Sequence, residues 1–293
     1  MDLNEFTLMV CDKIKEYLSA YDFDEIYERE VVKNNGVIYK GLVISKKEKD
    51  AAPTIYMDYY YGLYKQGKSI DSIVRLIFDN YKDSIKKLEF LEEHTNDLMD
   101  YKDKLFIKVV NYEKNKLILE DCPFVPFQDM AITFRYLVHK DERGVSSTIV
   151  KNVLMDSWGL NTHSLYKIAY ENTGKLFPPM LKKMSDIISL WSPREVFIPE
   201  NDIYVLTNES GINGASNIIY KEILDDFCQN KSEEYYIIPS SIHELVLIPK
   251  GLEEDADSLK MFIKEVNKYV IPKVDFLSDN LFIYNKKAGM KIV

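Results

Sequence analysis

The chain has 293 residues, 46% of them hydrophobic, enough to fill one large or two ordinary cores. Its 47 acidic residues outnumber 38 basic ones, and the formal charge of −9 argues against the net basic face that binds a phosphate backbone, so no nucleic-acid partner is expected. Three widely spaced cysteines, Cys11, Cys122 and Cys228, form no CxxC motif and no even set, which speaks against a disulfide framework or a zinc site and fits a reducing cytoplasm.

The start, MDLNEF, has no basic region ahead of an apolar stretch, and 18 apolar residues nowhere run together. The expectation is a soluble cytoplasmic protein with no membrane partner. Leu3, Phe6, Met9, Val10, Ile14 and Leu18 recur at steps of three and four and predict an amphipathic helix over 2–20. Ile26–Val32 and Val37–Ile44 flank Asn35-Gly36, whose tolerance of positive φ predicts a tight hairpin. A charged loop, Lys46–Asp50, follows.

Tyrosines crowd the next helix, and Tyr56, Tyr60 and Tyr64 are spaced to share one side of it, either as packing or as an interaction surface. Gly67 ends that helix, and Ser69 caps another that carries Ile70, Ile73, Val74 and Ile77. A third helix is expected over Ile85–Tyr101, with a lone His94 on its charged face. From Leu105 the period becomes two. Leu105–Val110, Lys116–Glu120, Met130–His139 and Val145–Leu154 read as an antiparallel meander. A domain division near Tyr101 separates a helix-hairpin-helices region, 1–101, from an α+β region, 102–293, with one continuous fold as the alternative.

Thr162 caps a helix ending at Gly174, and Met180–Trp191 has helical spacing up to Ser192-Pro193. Ile203–Lys250 then reads as a β-α-β-β unit. Ile203–Thr207 is a strand, and a Gly- and Asn-rich loop leads to a helix capped by Ser216 or Asn217. Tyr235–Ile238 and Ile242–Ile248 are strands on either side of Pro239-Ser240-Ser241. Leu259–Val270 is a further helix, and a hairpin closes the chain after Phe276. Hairpins with helices between groups of strands give the fold class α+β with antiparallel sheets.

Phosphate loops, GxGxxG, HExxH, GxSxG and the kinase motifs are all missing. The loop from Asn208 through Asn213 to Ser216 offers backbone N–H groups at a helix start, where an anion can sit, although Glu209 opposes one. Ser240, Ser241, His243 and Glu244 carry the residue types of a nucleophile, a base and an orienting acid. In an extended strand Ser241 and His243 share a face and Glu244 points the other way, so a distant carboxylate has to orient the ring. Asp121-Cys122-Pro123 has no nearby base, and His139 and His163 stand alone, so no metal and no cofactor are expected.

The phrases KNNGVIYKGLVI, PTIYMDYYYGLYKQGKSI, ENTGKLFPPML, IYVLTNESGINGASNIIY and YYIIPSSIHELVLIP together resemble an uncharacterised domain-of-unknown-function family of gut Firmicutes, the clostridia. The resemblance runs along nearly the whole chain. It implies a bacterial, cytoplasmic origin and no activity.

Three functions fit these features. The first is a non-enzymatic interaction or ligand-binding protein whose partner is a protein or a small polar ligand, with Asn208, Asn213, Ser240, Ser241 and His243 as candidate contacts. The second is a hydrolase or transferase that uses His243 with Ser240 or Ser241. The third is a homo-oligomer closed by Tyr56, Tyr60 and Tyr64.

Overall fold

The structure, a computed structural model, describes residues 1–18, 25–45, 54–92, 97–141, 144–191, 203–230, 232–251 and 255–293. His94 and the Lys46–Asp50 loop lie outside them. The chain divides into two compact units, Met1–Thr95 and Asn96–Val293.

In the first unit the expected apolar stripe forms helix α1, Leu3–Leu18, which buries Phe6, Val10 and Ile14. Strands β1, Glu25–Val32, and β2, Ile38–Ser45, pair antiparallel from Val32 opposite Ile38. Between them Asn35 (φ 61°) and Gly36 (φ 68°) take the left-handed backbone that the turn requires. Strand β3, Thr54–Tyr56, adds to β2, and α2, Met57–Lys65, starts directly after it. Helix α3 begins behind Ser69, whose Oγ accepts from Ser72 N at 3.3 Å, and runs from Ile70 to Glu92. The separate helix expected from Ile85 is therefore part of α3, because no glycine or proline interrupts 70–92.

The second unit opens on α4, Leu98–Tyr101, a single turn capped by Asp97. Strand β4, Leu105–Asn111, follows as expected, but Lys116–Glu120 is not its hairpin partner. The Asn111 side chain accepts from Lys114 N, and Asn115 Nδ2 donates to Asn111 O, which bends the chain into the helical turn α5, Lys116–Leu119. Strand β5, Phe124–Phe127, was not expected. It tolerates Pro126 as an edge strand, and the Gln128-Asp129 turn returns it into β6, Met130–Asp141. Strand β6 is central. It pairs with β4 on one side, and with β5 and then β7, Gly144–Ile149, on the other, so these strands form no simple meander.

After β7 the chain forms α6, Asn152–Ser157, where a strand was expected, and then α7, Thr162–Leu176. The cap of α7 is Asn161, in a capping box with Ser164, and the helix continues through Gly174. Behind Pro178, residues Pro179–Lys183 form strand β8 and not the start of a helix, since β9, Tyr204–Asn208, offers them a partner; α8 spans only Met184–Trp191. The rest is α9, Lys221–Asn230; β10, Glu234–Ser241; β11, Glu244–Pro249; α10, Ala256–Tyr269; β12, Phe282–Asn285; and β13, Gly289–Ile292. A six-stranded antiparallel sheet runs β13-β12-β10-β11-β9-β8.

All three sheets among the described residues are antiparallel, and the fold class is α+β. Alternation decides the layers. Tyr235 and Ile237 of β10 enter the main core with β4, β6 and α7, while Ile238 joins Ile248, Leu259 and Ile263 beneath α10 on the opposite face. Strand β4 is an edge, and its outward N–H groups at Ile107 and Val109 are taken by Thr173 Oγ1 (2.8 Å) and Ser216 Oγ (3.1 Å), which blocks further pairing there. The three cysteines are buried and unbridged. No helix among the described residues is long and apolar enough to cross a membrane.

Candidate functional site

The sequence places its polar cluster in a strand, but the chain turns there. Strand β10 continues through Pro239, which sits where the register slips between Ile238 and Ser241 and so needs no N–H. Ser241 pairs with Glu244, and Ile242-His243 is the turn between them. The expected face-sharing of Ser241 and His243 fails for that reason. Ser241 Oγ accepts from His243 N at 3.0 Å, a bond to backbone and not to the ring. Among the described residues Ser240 Oγ reaches Glu244 Oε1, at 3.5 Å.

The ring of His243 is held from two sides. Its Nδ1 accepts from Asn213 N at 3.2 Å, which leaves the proton on Nε2, and Nε2 faces Asp275 Oδ1 at 3.3 Å. Asp275 also takes the backbone N–H of Ile242, at 2.8 Å on its carbonyl. The distant carboxylate called for by the sequence is thus Asp275, 32 residues further on, and nothing in the local pattern marks it. With both nitrogens engaged, neither is left to take a proton from Ser240 or Ser241. The pair is half-exposed, at 33% for the His243 side chain and 26% for Asp275.

The Asn208–Ser216 loop holds that ring, and several of its N–H groups bond within the protein. Asn208 is buried; its Nδ2 donates to Ile212 O, and its Oδ1 accepts from Ser210 Oγ, both at 2.8 Å. Asn213 is left-handed (φ 56°), which turns its N–H toward the imidazole. The N–H groups of Gly211, Ala215 and Ser216 go to Asn208 O, Ile242 O and Asn213 O. Ser216 and Asn217 cap no α-helix: Ser216 serves β4, and Asn217 Nδ2 donates to Thr207 O at 2.5 Å, inside a 3-10 run over Gly214–Ile219. Gly214 is required for contact, because a Cβ there would meet Thr207 Oγ1, His243 O and, at 2.8 Å, Thr207 Cα.

Beside this turn lies an open apolar groove of about 460 Å³. Ile238 and Ile248 of the sheet and Leu259, Phe262, Ile263 and Val266 of α10 line it. Ser240 is at its edge. Phe262 is 57% exposed although it borders the groove, and Met261 beside it is 63% exposed. Sequence reasoning missed this feature. The available signal was that α10 carries Phe262 in addition to the Leu259 and Ile263 of its buried stripe.

The tyrosine row spans two elements, with Tyr56 outside α2 and Tyr60 and Tyr64, four apart on α2, both packed into the core of the first unit. Tyr56 ends β3, Tyr60 is buried with its hydroxyl accepting from Asn80 Nδ2 at 2.7 Å, and Tyr64 packs on Phe6 with ring centroids 5.4 Å apart. A smaller recess of about 300 Å³ is lined by Tyr56, Tyr59, Tyr60, Asn80 and Ser84. Among the described residues no group of three or more His, Cys, Asp or Glu side chains is placed to hold a metal.

Fold and site together define an α+β protein with a histidine-braced hairpin next to an apolar groove. The chain belongs to the family of unknown function DUF5688, which matches residues 3–286. No curated protein and no solved structure matches it.

Proposed function

We propose that the protein acts by binding, and that the group it binds is an apolar one seated in the groove under α10. One observation carries this: a concave surface in the size range of small-molecule sites keeps a large aromatic side chain, Phe262, more than half exposed among its lining residues. This reading favours an apolar ligand over the small polar one expected from the sequence, since Ser241, Asn213, His243 and Asp275 bond to one another. Catalysis at His243 is the weaker reading because Asn213 N–H and Asp275 occupy the ring. A setting in the cytoplasm of a gut clostridial bacterium goes with this reading, supported by the three buried thiols and by the phrase-level resemblance.

The test is displacement of an environment-sensitive naphthylamine dye by straight-chain alcohols. The intact protein should bind the dye saturably and release it more readily as the alkyl chain lengthens. Phe262→Asp, at an exposed position, should fold normally and lose the dye. Dye binding that survives Phe262→Asp, or is absent from the intact protein, would overturn the proposal.

A further inference from the structure

Arg135 lies in β6 between Phe106 of β4 and Ile149 of β7, on the face opposite Ile132 and Phe134, which point into the main core. Its Nε donates to Ser147 Oγ at 2.9 Å and its Nη2 to Ser147 O at 2.8 Å. These two bonds consume the side-on edge of the guanidinium and fix its plane. The end-on edge, Nη1 with the second hydrogen of Nη2, has no acceptor among the described residues, and no carboxylate there pairs with the charge.

The surroundings sharpen this imbalance. Phe106 is fully buried and Arg135 itself is half-buried, while its free Nη edge is not sealed from solvent and so can be reached by a dissolved ion. Burial holds the guanidinium below the usual arginine range, and only Cys122 and Tyr136 act in the opposite direction. Asp121 is engaged elsewhere, paired with Lys151 at 2.8 Å, and the buried Cys122 thiol feels both Lys151 and Arg135. A guanidinium keeps its charge in any such setting. It therefore favours an external anion that matches its fork.

We infer that the Nη1–Nη2 edge of Arg135 is a binding site for a small oxyanion, a carboxylate or phosphate group that accepts both N–H groups side by side. Ser147 positions the fork, and Phe106 and Ile149 flank it with apolar surface. The site is separate from the groove under α10 and does not depend on the reading given for it.

Calorimetric titration of the full chain with acetate and with inorganic phosphate, at an ionic strength held constant with sodium chloride, tests this. At least one of the two should bind saturably, and the comparison identifies the oxyanion class. Arg135→Met keeps an apolar stem, should remain folded, and should bind neither. Arg135→Lys keeps the charge and loses the fork, so binding should weaken at least about tenfold; it also serves as the test if Arg135→Met does not fold. Absence of binding by the intact protein overturns the inference. So does equal binding by the intact protein and either variant, because screening of scattered surface lysines would not distinguish them.

Discussion

Gly214→Ala perturbs the point where three segments meet. The added methyl has no free direction, because two of its three close neighbours, His243 O and Thr207 Cα, are backbone and cannot rotate aside. Its third neighbour, Thr207 Oγ1, is the donor of a 2.8 Å hydrogen bond to His243 O. Overpacking of this kind costs about 1–3 kcal/mol, and rigid neighbours place it near the upper end. Loss of the Thr207 bond adds about 1 kcal/mol. Gly214 does not have a positive φ, so alanine recovers about 0.4–1 kcal/mol through a less disordered unfolded chain. The net is a destabilisation of about 3 kcal/mol, or a fall in Tm of about 6–12 °C for a unit of this length. Differential scanning calorimetry measures it. Thr207→Ala alone should cost about 1 kcal/mol, and adding it to Gly214→Ala should recover little, because the clash with His243 O remains. If Gly214→Ala melts within about 2 °C of the parent, the packing argument is wrong.

The pH dependence is set on the alkaline side by buried phenols. Burial pushes Tyr220 up to about 12 and raises Tyr170, Tyr235 and Tyr284 as well. Their folded-state values lie above the unfolded one near 10, so their contribution is complete below about pH 10 and is lost as pH rises from there. Tyrosinate absorbance should therefore show a set of phenols that ionise only together with loss of circular dichroism, and simple independent titration of every tyrosine would contradict this. Under α10, Ile263→Ala should cost about 2–5 kcal/mol in urea denaturation because the residue is buried, while Phe262→Ala should stay within about 0.5 kcal/mol. Similar costs for the two would mean that Phe262 packs into the core.

Where one period or one residue type acts locally, the chain announces its structure. The stripe of α1, the Asn35-Gly36 turn, the Ser69 cap and the closing hairpin depend on neighbours within a few positions, and each forms as read. Lys116–Leu119, which reads as a strand, is a helical turn and Met180–Lys183, which reads as a helix, is a strand, because short apolar runs suit both. Asn111 captured the first into a helical turn, and β9 drew the second into a sheet. Strand β5 escaped notice because Pro126 is tolerated only at an edge, and edges exist only once strands are paired.

The candidate site shows the same division. Residue types alone pointed to His243 and to the loop around Asn213. What they do was decided elsewhere: Asp275 reaches the imidazole from 32 residues away, and Asn213 turns its N–H inward through a left-handed backbone. The groove beside them has no sequence signature beyond the surplus apolar Phe262 on α10, since it is a gap between elements. Sequence by itself determined the α+β class and most element types, because periodicity and turn chemistry are local energies. Tertiary structure decided the sheet order, the bracing of the His243 ring by Asn213 and Asp275 and the existence of the groove, because long-range hydrogen bonds and close packing are settled only when distant segments meet.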